Sequence, residues 1–276
     1  TNNDIICLSR NKKSKSNNIL YGDLNNINEL KNQIIDLNPD VVIHLAWQGI
    51  PDYSESISRV NLINSIDLLD FILSNTNCRK IIVSGSCWEY GNKQGICKES
   101  DLVNINSYFT WAKHSINQYL SIKCAKQNVK LNWFRIFYVY GPGQRKESLI
   151  PMLIKSIQAS VIPPVNMPFN KNDFVYVKDV ARVFAKAVDV DLQSGVYNLG
   201  SGYATSVYDV CHIVEKQLLD SETISKQVFD NKYQDETVKI LGDMEKTQQA
   251  LDMKCDTSLE EGIKQIIQSM KLKSFK

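Results

Sequence analysis

Seven cysteines and three histidines are all that the 276 residues offer toward soft-metal ligation, and no CxxC pair occurs, so no zinc site is expected. The cysteines, at 7, 78, 87, 97, 124, 211 and 255, are odd in number and scattered through apolar segments. That usage fits reduced thiols in a cytoplasmic protein. No apolar run reaches the ~18 residues of a membrane span, so no membrane partner is expected. No basic-then-apolar leader of the secretory kind is present either. Neither sign of charge dominates: 32 basic against 30 acidic residues leave a net charge of +2. A nucleic-acid partner would need a basic face, and short clusters such as Arg10-Asn11-Lys12-Lys13 read as solvated loop. Glycine is absent before Gly22, which excludes a glycine-rich phosphate turn from that stretch.

What is present is a chain 43% hydrophobic, enough for a sizeable core in one or two domains. Short apolar runs alternate with amphipathic stretches, as a parallel sheet with crossover helices requires. Strands are expected at Asp4–Leu8, Asn18–Tyr21, Val41–Leu45, Lys80–Val83 and Leu131–Ile136, with helices over about 27–37, 55–74 and 108–127. After Gly141-Pro142-Gly143 the pattern changes. Helix is expected over 149–160, strand at 174–177, helix at 180–188, strand at 196–199, helix at 206–219 and strand at 237–241. These later pieces suggest a smaller C-terminal lobe woven into the first domain.

Six segments stand in order along the chain. They are His44-Leu45-Ala46; Asn61 in the next helix; Ser84-Gly85-Ser86-Cys87-Trp88-Glu89-Tyr90-Gly91; Arg135 to Gln144; Asp173 to Ala181; and Tyr197 to Gly202. Together they resemble the extended short-chain dehydrogenases/reductases, the NAD-dependent epimerase/dehydratase family acting on nucleotide sugars. The resemblance implies an α/β fold, a Rossmann-like doubly wound parallel sheet, with a smaller C-terminal substrate lobe. It implies a dinucleotide-binding domain over 1–145 and a substrate lobe over 146–276, with 170–200 interleaved with the first domain. The family's first strand and glycine loop have no counterpart, because Asp4 to Arg10 matches its second strand. About 30 residues, one strand–turn–helix unit, are therefore missing relative to the family, and the sheet should expose apolar edges. The first residue, Thr1, is not a methionine, as in a fragment or a processed chain.

The family's chemistry sets a serine or threonine, a tyrosine and a lysine beside a nicotinamide. Tyrosine moves a proton at a sugar hydroxyl, lysine lowers the tyrosine pKa, and serine holds the substrate oxygen. Ser86 and Lys113 match two of the three. The family's Tyr-x-x-x-Lys places Phe109, not tyrosine, four residues before Lys113. Tyr108 is the weaker substitute, because one more residue turns it about 100° round the helix. Either a natural relative carries this change or it is a deliberate substitution; the sequence reads the same in both cases.

By resemblance, Ser9, Arg10, Asp23, Leu24, Leu45, Ala46, Trp47, Asn61, Ser84, Lys113 and Tyr138 would contact the cofactor. Arg10, where NAD-preferring members carry an acid, would suit a 2′-phosphate, so NADP is favoured over NAD. Ser86, Cys87, Trp88, Tyr138, Arg145 and Leu149 would line the nucleotide-sugar site. A 4,6-dehydratase is disfavoured, since Trp88 stands where its acid would be and Glu89 falls one place late. Epimerase or 4-keto-sugar reductase remains, in surface polysaccharide or deoxysugar synthesis. The other reading is a catalytically inactive nucleotide-sugar or dinucleotide binder, or a truncated fragment. Relatives often dimerise through helices equivalent to 55–74 and 108–127, so a homodimer is expected.

Overall fold

A computed structural model describes residues 3–10, 18–229 and 237–274, with side chains to residue 227 and from 237 to 270 in the later stretches. Asn11–Lys13 of the basic cluster lie outside the described residues. The first elements are β1 (Cys7–Ser9), β2 (Ile19–Tyr21), a 3-10 segment (Leu24–Glu29), α1 (Lys31–Leu37) and β3 (Val41–His44). Next come α2 (Glu55–Asn75), β4 (Lys80–Ser84), a 3-10 turn (Cys87–Tyr90), β5 (Ile96–Cys97), α3 (Tyr108–Gln127) and β6 (Lys130–Ile136). Then follow β7 (Tyr138–Tyr140), α4 (Leu149–Gln158), β8 (Lys171–Tyr176), α5 (Val177–Asp189), β9 (Gly195–Leu199), β10 (Ala204–Ser206) and α6 (Val207–Leu219). The last are α7 (Thr223–Phe229), β11 (Val238–Gly242), α8 (Glu245–Leu251) and α9 (Leu259–Ser274).

The chain forms two compact units, each drawn from several stretches. The first takes residues 1–91, 102–135 and 184–197. Its main sheet runs β3-β4-β6-β9, with β3, β4 and β6 parallel. Side chains alternate across a strand, and both faces of this sheet are covered. Ile81, Val83, Leu131 and Trp133 pack on one face against Leu68, Leu69 and Ile72 of α2 and Ile116 and Leu120 of α3. On the other face Phe134 meets Phe184 of α5 at 5.1 Å and Tyr197 of β9 at 5.7 Å. This is the doubly wound α/β arrangement. Lys80, buried at the start of β4, donates to the carbonyls of Ala187, Val188 and Val190 at 2.9, 3.0 and 2.6 Å. An ammonium there satisfies the free carbonyls at the end of α5 and meets the negative end of its dipole.

The sheet is interrupted where the family's first strand would lie. Among the described residues β1 pairs with β2 and β3 with β4, and β1 and β3 have no strand between them. Residues 3–10 and 38–48 line one cavity of about 1770 Å³, a volume beyond that of an ordinary ligand pocket. Ile5, Ile6, Leu8, Ile43 and Leu45 are exposed on its walls, so the expected apolar edges are present.

The second unit takes residues 92–101, 136–183 and 198–276. Its sheet runs β10-β8-β11-β5, with β7 added parallel to β8. α4, α6 and α9 build its core, with Ile150, Leu153, Ile154, Val210, Val214, Ile263 and Ile266 packed together. Buried Asp173 braces it, accepting from the main chain of Ser201, Gly202 and Gly242 at 2.6, 3.1 and 3.2 Å.

The sequence expectation holds no counterpart of β5, β7 or β10, and two of its expected elements differ in form. The helix expected over 27–37 splits at Leu30 (φ −98°, ψ −18°), which closes the 3-10 segment on one side and caps α1 on the other. The strand expected at 4–8 is paired over Cys7–Ser9, the stretch facing β2.

Candidate active site

β4 ends on Ser84, and the chain turns at Gly85 into a tight 3-10 turn capped by Ser86. The Ser86 hydroxyl accepts from Trp88 N at 3.2 Å, while its own proton has no acceptor among the described residues. Glu89 closes the turn from the other side. Its Oε1 accepts from Ser86 N at 2.9 Å and from the Trp133 indole at 2.9 Å, and its Oε2 from Arg135 Nε at 3.2 Å. A Cβ on residue 85 would stand 2.2 Å from Trp133 Nε1 and 2.7 Å from Glu89 Oε1. Glycine is therefore the residue that lets this buried network approach the Ser86 turn.

α3 begins with a capping box in which Ser107 and Thr110 satisfy each other's main-chain N–H groups. That start fixes which residues face inward. Phe109 is 8% exposed and Lys113 5%, while Tyr108 is 52% exposed, as a 100° rotation demands. Tyr108 thus stays on the outer side of the helix, and the inward ring at this level is Phe109.

Lys113 Nζ donates to Ser84 O at 2.7 Å and lies 4.3 Å from the centre of the Trp47 ring. Burial pushes its ammonium pKa down to about 8, with the Glu89 charge acting against the shift. His44, at the end of β3, pairs through Nε2 with Ser65 Oγ at 2.9 Å. Burial, helped by the charge of Lys113, pushes the imidazole down to about 3, so it is neutral throughout the physiological range.

Four aromatic rings form a wall at this place. Phe109 is met edge-on by Trp47 at 5.1 Å, Tyr53 at 5.3 Å and Trp88 at 5.6 Å, and Tyr53 meets Trp88 at 5.0 Å. The Trp47 indole N–H is buried and has no partner among the described residues. A buried donor left unpaired costs on the order of 1–3 kcal/mol, so the wall suits a ligand bringing an oxygen acceptor.

The other residues singled out in the sequence divide between the two units. Ser9, Arg10, Asp23, Leu24, Leu45, Ala46, Trp47 and Asn61 all line the large cavity of the first unit. Arg10 Nη1 stands 3.4 Å from Gln48 Oε1, and Asp23 caps the following turn by accepting from Asn25 N at 3.0 Å. Asn61 receives Gln48 N at 2.8 Å and donates to Gln48 O at 3.0 Å, holding the loop after β3. Cys87 is buried, in the 3-10 turn. In the second unit Tyr138 sits on β7, its ring 6.0 Å from Phe174, Arg145 is exposed, and Leu149 begins α4.

Sequence reasoning passed over Tyr53 and the inward role of Glu89. Glu89 had a readable signal, since Ser86-x-x-Glu89 is the capping-box pattern. Tyr53 had none, because nothing in a loop sequence says where its side chain packs.

A model of the "NAD dependent epimerase/dehydratase family" matches residues 1–200. The chain belongs to this family. Among its relatives is a dTDP-4-dehydro-6-deoxyglucose reductase of Escherichia coli, 25% identical over 255 residues, or 90% of this chain and 80% of that one. A putative UDP-glucose 4-epimerase of Methanocaldococcus jannaschii is 24% identical over 276 residues, covering 92% and 88%. The fold matches MoeE5 in complex with UDP-glucuronic acid and NAD with a TM-score of 0.78 at 24% identity, over 97% of this chain and 91% of that one. The UDP-glucose 4-epimerase of Thermotoga maritima matches with a TM-score of 0.78 at 22% identity, over 98% and 91%.

A nicotinamide dinucleotide supplies this family with hydride exchange. Of the residues that would hold it, Arg10 and Asp23 line the cavity, and Lys113 with the unpaired Trp47 donor stands in the wall. A glycine turn to cradle its pyrophosphate is not among them.

Proposed function

We propose that this chain is a nicotinamide-dependent nucleotide-sugar epimerase or 4-keto-sugar reductase, exchanging hydride at a sugar carbinol carbon. The observation that carries this reading is the grouping of Lys113, the Ser86 turn and an aromatic wall with an unmet donor at the ends of β3 and β4. Ser86 keeps a hydroxyl proton to give to a sugar oxygen, and the wall excludes water from the reacting face. A dehydratase is disfavoured on geometric grounds, because Glu89 is buried and committed to Ser86, Trp133 and Arg135. It is not placed to remove a ring proton. NADP is favoured over NAD, since Arg10 puts a cation at the end of β1 where an acid would serve the ribose hydroxyls.

One observation favours a second reading, a nucleotide-sugar binder without turnover: Phe109 has no hydroxyl. Pairing of two copies through α2 and α3 accompanies either reading, and a sedimentation mass equal to one chain would count against it.

Titration calorimetry with NADPH, NADH, UDP-glucose and dTDP-glucose separates the readings. Binding of NADPH, tighter than NADH, together with a nucleotide sugar is the expected result. Nucleotide-sugar binding with neither dinucleotide bound would leave the non-catalytic reading, and no binding at all would overturn both.

A further inference from the structure

Phe109 leaves the proton at the sugar oxygen without a carrier, and of the three rings that enclose it Tyr53 alone bears a hydroxyl. We propose that Tyr53 is the acid–base residue of this site, a role that rests on the nucleotide-sugar redox reading above.

Position comes first. The Tyr53 ring lies 5.3 Å from Phe109 and 5.0 Å from Trp88, and Trp88 N is bound by the Ser86 hydroxyl. The phenol therefore joins the wall that carries the serine turn and, through Trp47, the ammonium of Lys113.

Presentation is the second point. The loop from Gln48 to Ser54 is braced on both sides of Tyr53. Asn61 grips Gln48 through both its N–H and its carbonyl and also donates to Ile57 O at 2.8 Å. Gly49 O accepts from Asp52 N at 2.8 Å, and Asp52 Oδ1 accepts from Ser54 N at 2.8 Å. Gly49 has φ +88°, and a Cβ there would lie 2.7 Å from Ile57 Cγ2, so this turn needs glycine. A loop held at both ends delivers its side chain to one place, which proton transfer demands.

The third point is availability. Tyr53 is half-buried, and no hydrogen bond of its hydroxyl is found among the described residues. Tyr90, by contrast, is buried with the Arg135 guanidinium 4.6 Å from its ring centre, and Tyr108 is exposed on the outer side of α3.

In the reducing direction the Tyr53 O–H bond breaks as an O–H bond forms on the sugar carbonyl oxygen. The carbonyl carbon gains hydride from a reduced nicotinamide dinucleotide, so the sugar is reduced and the dinucleotide oxidised. The phenolate regains a proton from water. In the oxidising direction it accepts the hydroxyl proton of the sugar. Lys113 is the cation of the wall, over the Trp47 ring.

The test combines Tyr53→Phe with a footprint that needs no cofactor. N-acetylimidazole should acetylate Tyr53 in the free protein, read by mass spectrometry, and saturating UDP-glucose or dTDP-glucose should slow that labelling at least about tenfold. Turnover is followed with dTDP-4-dehydro-6-deoxyglucose and NADPH, and as interconversion of UDP-glucose and UDP-galactose. Tyr53→Phe should lower kcat about 100-fold or more, with KM and calorimetric sugar affinity within about threefold of the parent. Labelling of Tyr53 unaffected by a sugar nucleotide that calorimetry shows to bind would overturn the proposal. So would a Tyr53→Phe enzyme with kcat within about threefold of the parent. Failure of the parent protein to bind any nucleotide sugar is a separate result: it removes the functional reading, and this proposal with it.

Discussion

The carboxylate of Glu89 accepts from the guanidinium of Arg135 at 3.2 Å with side chains 0% and 4% exposed. The same carboxylate holds Ser86 N and the Trp133 indole, so one buried acid ties the serine turn to β6. Removing one partner of such a pair strands the other charge. Glu89→Gln should therefore destabilise the fold by about 3 kcal/mol, read as a lower urea midpoint. An unchanged midpoint would mean that Arg135 finds another acceptor.

Lys113 makes the opposite prediction for stability. Its pKa of about 8 lies below the usual 10.5, so the unfolded chain holds the proton more tightly than the folded one. Stability should then rise with pH between about 8 and 10.5 on account of this group. Lys113→Met removes the buried cation and should raise stability at pH 7 by about 0.5–2 kcal/mol while abolishing turnover. A lower thermal midpoint would show that the Ser84 and Trp47 contacts outweigh the desolvation.

Acid should loosen the fold through His44. Its pKa of about 3 is depressed from 6.5, so the folded state resists a proton that the unfolded state accepts. The stability this provides is present above pH 6.5 and is lost as pH falls toward 3. His44→Gln, which can still meet Ser65, should flatten the stability profile across that window. A profile as steep as the parent's would place the acid sensitivity elsewhere.

Arg10 should discriminate between cofactors. Arg10→Ala is expected to weaken NADPH binding about tenfold, or ~1.4 kcal/mol, and to leave NADH within about threefold. Equal losses for both dinucleotides would show a general electrostatic role instead of contact with a 2′-phosphate.

Much of the fold was legible because its cues are local. Lys80-Ile81-Ile82-Val83 is apolar on both faces and becomes a sheet-centre strand. α3 spans Tyr108–Gln127 as its pattern expects, opened by Ser107 and closed by Asn128 in the left-handed region at φ 56°. Less was legible where a partner is distant. β5 finds β11 across some 140 residues, and no property of Ile96-Cys97 announces it. At the site, the four-residue spacing of Phe109 and Lys113 places both inward by helix geometry alone. Tyr53 reaches the same wall through a loop whose conformation depends on Asn61 and Asp52, and periodicity carries no trace of such bonds.

The three-stretch make-up of the first unit has a consequence for biosynthesis. Residues 184–197 supply the carbonyls that receive the Lys80 ammonium and the rings that cover Phe134. A ribosome working from the N-terminus must therefore release about two-thirds of the chain before the opening unit can close. Until then Lys80 is a cation in a half-covered sheet, and nascent chains stalled short of residue 197 should depend on chaperones more than longer ones do.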